Sequence, residues 1–230
     1  MIDFLLLLPV LLFSVVAHEY AHAWTAFRQG DPTAYMLGRL TLNPLPHIDP
    51  MMSVVFPAML FWLSSLAGHP FTFGAAKPVP VNPRNYRNYR RGDLIVSSAG
   101  IVTNLILAPV CALLFVGLGL AGDAVPAASG VLGTLQRMMV FGILLNYILA
   151  VFNLVPLPPL DGSHLFYHLL PPALGARYRA VGRFGFLLLL VTFMVPGLSG
   201  VWNVLLWPAE QASTLTLSLV GNFALAGVIR

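Results

Sequence analysis

The sequence predicts an all-α polytopic membrane protein, with about five to six transmembrane or re-entrant helices and room for one short β-hairpin at the membrane surface. Three observations predict it. Of 230 residues, 58% are hydrophobic and only 9% charged, with a mean hydropathy of +0.83, which leaves too little polar surface to coat a water-soluble globule. Apolar runs approaching the ~20 residues that cross a bilayer begin at Ile2, Met51, Leu94, Val131, Phe186 and Thr214. Between the runs lie short stretches punctuated by Pro, Gly and basic residues. One integral-membrane domain over 1–230 accommodates them, with a core over about 2–165 and C-terminal helices over about 180–230.

The first helix is expected from Ile2 to Phe27, stopped by Gly30-Asp31-Pro32. No Lys or Arg precedes Arg28, so the basic start of a secretory signal is missing and the helix is read as retained. Residues 31–50 are Pro- and Gly-rich, and the alternation from Leu37 to Leu42 fits a strand or hairpin. Met51–Leu66 is apolar, short for a span, and contains Pro57. Residues 75–93, with Lys77, Arg84, Arg87, Arg90 and Arg91 among three prolines, read as an aqueous loop. Long helices follow over Leu94–Leu120 and Val131–Val155, the second ended by Pro156, Pro158 and Pro159. Apolar runs over Phe186–Trp207 and Thr214–Val228 close the chain.

A net charge of +4 raises nucleic acid as a partner, but the basic residues sit in short segments between apolar runs, so positive-inside topology explains them and no nucleic acid is expected. The single cysteine, Cys111, lies in an apolar run; it allows neither a disulfide framework nor a thiolate cluster and is expected to pack as a small hydrophobe.

His18-Glu19-Tyr20-Ala21-His22 carries the chemistry. On a helix, the i, i+4 spacing places both imidazoles on one face, able to grip one zinc ion, with Glu19 beside them as base for a water molecule. Two histidines and a glutamate in an apolar helix are costly to bury, which favours function over a chance match. A catalytic zinc takes three protein ligands and keeps one open position, so a distant residue must supply the third. Asp161, after the fourth long run in Asn153-Leu-Val-Pro-Leu-Pro-Pro-Leu-Asp161-Gly162, is the best candidate, although the same residues also satisfy a helix-ending turn. His47 and Asp49 are rivals in a turn-rich loop where structural roles are expected. His164 and His168 share the i, i+4 spacing, and interfacial or helix-capping roles are expected for them.

HEYAH on the first helix, Gly100 and Asn104 in a Gly-x-x-x-Asn arrangement, and NLVPLPPLDG after the fourth run together resemble the site-2 proteases. GDPTAYMLGRLTLNPLPHIDP and AKPVPVNPRNYR are similar to the compact bacterial branch, so the resemblance covers most of residues 14–165. It implies an intramembrane zinc endopeptidase with His18, His22 and Asp161 as ligands and Glu19 as base. It also implies that Asn104 and Asn153 hold an extended substrate or donate to the developing oxyanion, where otherwise they would pack helices. The implied partners are a membrane-protein substrate with a transmembrane helix and the bilayer itself. A metal or proton transporter using the same cluster is the competing class.

Geometry constrains this reading. His18 lies about 25 Å along its helix, toward the C-terminal end, at ~1.5 Å per residue. Asp161 also follows the C-terminal end of its helix, so the two meet only if those helices run parallel, which requires that Met51–Leu66 does not fully cross. Residues 28–93 and 161–185 then share one side and contain every Lys and Arg except Arg137 and Arg230. The positive-inside rule makes that side cytoplasmic, placing the N-terminus outside a plasma membrane crossed several times and the active site near the cytoplasmic face. A substrate helix must unwind to be cut, and pairing with a strand in residues 35–45 is one route.

Overall fold

The computed structural model describes residues 2–48, 51, 55, 59, 77–195 and 199–229. Helix α1 (Ile2–Gln29) is followed by one helical turn, α2 (Thr33–Met36), then by α3 (Tyr89–Ala124) and α4 (Ser129–Leu154). Three short helices, α5 (Asp161–Tyr167), α6 (Pro172–Val181) and α7 (Gly185–Met194), lead to α8 (Ser199–Val220).

Three helical stretches are long and apolar enough to cross a membrane: Leu5–Gln29, Tyr89–Ala124 and Pro126–Leu154. Only 22%, 28% and 28% of their most apolar windows are buried within the protein, so most of each apolar surface needs lipid to cover it. This is an all-α membrane protein, and among the described residues three such spans stand where five to six membrane elements were expected. The expected run Phe186–Trp207 is divided between α7 and α8, with Pro196 and Gly197 in the sequence between them. Met51–Leu66, apart from residues 51, 55 and 59, lies outside the described residues, as do Asp49 and His69.

Side-chain bonds fix how the long helices run. His18 meets Asn104 while His22 meets the Val96 carbonyl, so α3 descends as α1 ascends. Asn104 meets Asn146 while the Phe115 carbonyl meets Gln136, so α3 and α4 are also antiparallel. Helices α1 and α4 are therefore parallel, as the convergence of His18 and Asp161 demands. Small buried residues, among them Ala26, Ala108, Ala112 and Ala150, allow close backbone approach of the long helices. Cys111 Sγ fills the space beside Gly142, the packing role expected of it.

Local chemistry accounts for the differences at the helix ends. Asn88 caps α3, its side-chain oxygen accepting the Arg91 N–H at 3.0 Å, so the helix starts five residues before the expected Leu94 and absorbs Arg90 and Arg91. Among the described residues there is no strand, and residues 37–42 form turns and bends. Asp31 accepts from the Thr33 N–H and hydroxyl, and Thr41 and Asn43 accept the N–H groups of Asn43 and Leu45; these local bonds hold turns where alternation alone pointed to a hairpin.

Candidate metal centre

The centre is assembled from α1, α3 and the first turn of α5. His18 and His22 are 7% and 8% exposed, and their Nε2 atoms face each other at 3.0 Å. Asp161 Oδ2 lies 3.2 Å from both. The chain thus brings together the two motif imidazoles and the carboxylate 139 positions beyond His22, a separation read directly from the numbering.

The hydrogen bonds behind the imidazoles determine where their protons sit. A carbonyl can only accept, so His22 Nδ1 donates to Val96 O at 2.7 Å, and in the neutral ring Nε2 keeps its lone pair. For His18 the direction is traced from another carbonyl: Asn146 Nδ2 donates to Gly142 O at 2.8 Å, which identifies the amide nitrogen, and it also donates to Ser14 Oγ at 2.9 Å. Asn146 Oδ1 then accepts from Asn104 Nδ2 at 2.8 Å, and Asn104 Oδ1 accepts from His18 Nδ1 at 2.6 Å. Each Nδ1 thus carries a proton, and in the neutral rings both Nε2 lone pairs point at one spot.

Asp161 Oδ2 is buried and has no hydrogen-bond donor. Its closeness to the imidazoles is therefore not a pair of hydrogen bonds, and rings in the neutral form have no Nε2 proton to offer it. Two lone pairs and an orphaned carboxylate oxygen repel one another unless a cation lies between them. The nitrogen and oxygen donors, within 4.8 Å of one another, suit zinc, with a position left open.

Two glycines make the convergence possible. A Cβ on Gly100 would overlap both imidazoles, at His18 Cε1 and Nε2 and at His22 Nε2. A Cβ on Gly162 would overlap the Leu154 and Val155 carbonyls, preventing α5 from closing against the end of α4. Leu160 packs with Leu189 and Trp202 just before Asp161, anchoring the approach to α5.

Glu19 is half-buried, and its Oε2 accepts the Val79 N–H at 2.7 Å. Pro78 and Pro80 have no N–H, so Val79 provides the one amide donor at positions 78–80. This segment is fastened by Lys77 N–H to His47 O, Arg39 Nη2 to Lys77 O, and Asn82 N–H to Asp31 Oδ2.

The remaining expected residues are placed as follows. Asn104 is fully buried between His18 and Asn146, where its amide bridges α1 and α4 and orients a histidine. Asn153, near the end of α4, donates its Nδ2 to Leu149 O one turn back. His47 is buried, with Nε2 bonded to Thr41 O, in the structural role expected. His164 and His168 both meet a buried acid, Asp93, and His168 is also the C-cap of α5, one of the roles expected. Sequence reasoning passed over Asn146, Asp93 and the Val79 amide. Asn146 had the same signal as Asn104, a polar amide in an apolar run; the other two had none.

The model of peptidase family M50 matches residues 69–193, more than half of the chain, a range that includes Asn104 and Asp161 but not the HEYAH helix. YwhC of Bacillus subtilis, a candidate zinc metalloprotease by its name, is 38% identical over 206 residues, covering 90% of this chain and 86% of that protein. Rip2 of Mycolicibacterium smegmatis, named in the same terms, is 34% identical over 196 residues, covering 85% of this chain and 69% of that protein. No solved structure matches.

Proposed function

This chain belongs to peptidase family M50, the site-2 protease family, and is an intramembrane zinc metalloprotease; we propose that His18, His22 and Asp161 hold its zinc and that Glu19 is its general base. The observation that supports this most directly is the meeting of two Nε2 atoms, on rings that donate from Nδ1, with a donorless carboxylate oxygen. Zinc held there supplies Lewis acidity, making a water molecule nucleophilic near neutral pH and polarising the scissile carbonyl.

Glu19 follows His18 on the same helix, takes the proton of the attacking water and returns it to the leaving amine. The Val79 amide occupies Oε2, so the proton travels on Oε1. Asn104 and the Val96 carbonyl keep both imidazoles in the tautomer that leaves Nε2 free. Asn153, half-buried at the end of α4, is the residue left to contact an extended substrate.

The substrate in this reading is a transmembrane helix of another membrane protein, unwound locally because a helical amide is already hydrogen-bonded. Pairing with a strand in residues 35–45 loses its basis, since that stretch holds the end of α2, turns, bends and the start of a 3-10 turn, with no strand. The protein is read as one multi-pass unit of the plasma membrane with its N-terminus outside. Arg28, Arg90 and Arg179 lie on the same end of the helices as the zinc site, which supports a cytoplasmic location for the chemistry. A transporter using the cluster has no support beside the peptidase family match.

Purified protein is expected to contain about one zinc per chain. Glu19→Gln should keep that zinc and lose cleavage of a test transmembrane substrate by ~10²–10⁴-fold. Cleavage at the wild-type rate would remove Glu19 from the mechanism.

A further inference from the structure

Asp93 is an acid that the zinc site does not use, yet it is only 3% exposed near the start of α3. A carboxylate so placed must be paired. Its Oδ2 accepts from His168 Nε2 at 2.7 Å, and its Oδ1 faces His164 Nδ1 at 3.4 Å. The His168 side chain is itself 5% exposed, and Arg90, one turn earlier on α3, donates to the His168 carbonyl at 3.2 Å.

Both histidines belong to the segment that begins with Asp161, following it by three and seven positions, so all three share one helical face. Helix α3 answers with Asp93, the Val96 carbonyl, Gly100 and Asn104, which also share a face. One stripe of α3 thus holds α1 through the two zinc-site histidines and the α5 segment through two others.

This second cluster is not a second metal site. Asp93 spends its two oxygens on two different imidazoles, and among the described residues only His18, His22 and Asp161 bring three donor atoms within 4.8 Å of one another.

Seven residues are too few for α5 to hold its own orientation by helix propensity, so its rotation and register come from what it touches. Zinc tolerates errors of about 0.2 Å in ligand distance. We propose that Asp93, with His164 and His168, is a positioning group for the metal centre: it sets the rotation and register of α5 so that the Asp161 carboxylate reaches the imidazoles. This rests on Asp161 being the third ligand.

The test measures zinc affinity of the detergent-purified full chain by competition with a chelator, alongside thermal unfolding of the zinc-free form. Asp161→Ala is the reference. Asp93→Ala and His168→Leu should weaken zinc binding by about 10- to 100-fold while the zinc-free form melts within a few degrees of wild type. His168→Gln, whose amide nitrogen can stand in for Nε2, should restore most of the affinity. If Asp161→Ala weakens zinc but His168→Leu binds it as tightly as wild type, the clamp is overturned and the ligand assignment survives. If Asp161→Ala binds zinc normally, the ligand assignment falls and this proposal with it. Should Asp93→Ala fail to fold, the His168→Leu and His168→Gln pair decides: equal affinities in those two overturn the clamp.

Discussion

Asn146 begins the chain of hydrogen bonds behind His18. Anchored on the Gly142 carbonyl, it leaves Asn104 no choice but to present its oxygen to His18 Nδ1, and so the neutral ring turns a bare Nε2 toward the proposed zinc. Asn146→Leu should therefore weaken zinc binding about 10- to 100-fold, because a freed Asn104 can rotate and offer its NH₂ instead, selecting the wrong tautomer. Asn146→Asp tests the direction of the chain, since a carboxylate still accepts from Asn104 Nδ2 and should keep more of the zinc affinity than leucine does. Chelator competition on both variants reads the effect, and undiminished affinity in both would show that His18 needs no relay.

Asp31 joins elements: it ties the exit of α1 to α2 and to the loop that enters α3. It is fully buried and accepts from Thr33, from the Asn82 N–H at 2.6 Å and from Asn85 Nδ2 at 2.8 Å. Burial alone would push its carboxyl up, but the hydrogen bonds from Asn82, Thr33 and Asn85 outweigh burial and bring it below the ordinary carboxylate value. A depressed folded-state pKa means that the contribution is present above the unfolded value of ~3.9 and is lost as pH falls through the folded one. Melting temperature followed from pH 7 to pH 3 should drop on the acid side in wild type. Asp31→Asn should melt lower at pH 7, by the equivalent of about 1–3 kcal/mol, and show a smaller acid drop. An acid profile parallel to wild type would place the titration elsewhere. The loop it anchors also carries Val79, so this contact acts on Glu19, the proposed base, through the backbone.

For the molecule as a whole, the parallel course of α1 and α4 places the motif histidines and Asp161 at one end of the long helices. The basic residues gather there too: Arg179 lies against the rings of Tyr89 and Tyr167, and Arg28 over Trp24. If that end is cytoplasmic, a Cys111→Ala background with Arg84→Cys should react with an impermeant maleimide only after cells are opened. Ala127→Cys, exposed in the turn between α3 and α4, should react in intact cells. The reverse pattern would invert the topology.

The membrane class, the long helices and the motif side chains were legible from order along the chain, because hydropathy and the i, i+4 spacing are local properties that no partner can alter. Even the parallel course of α1 and α4 followed from connectivity, once two distant segments were required to share an ion. The hairpin over 37–42 was misjudged because side-chain oxygens of Asp31, Thr41 and Asn43 compete for backbone N–H groups at short range, and alternation does not register that competition. The tautomers of His18 and His22, the grip of Val79 on Glu19 and the pairing of Asp93 with two histidines came only with the folded chain. Each depends on a donor meeting an acceptor 60 or more residues away, and such meetings depend on helix rotation, which hydropathy leaves open.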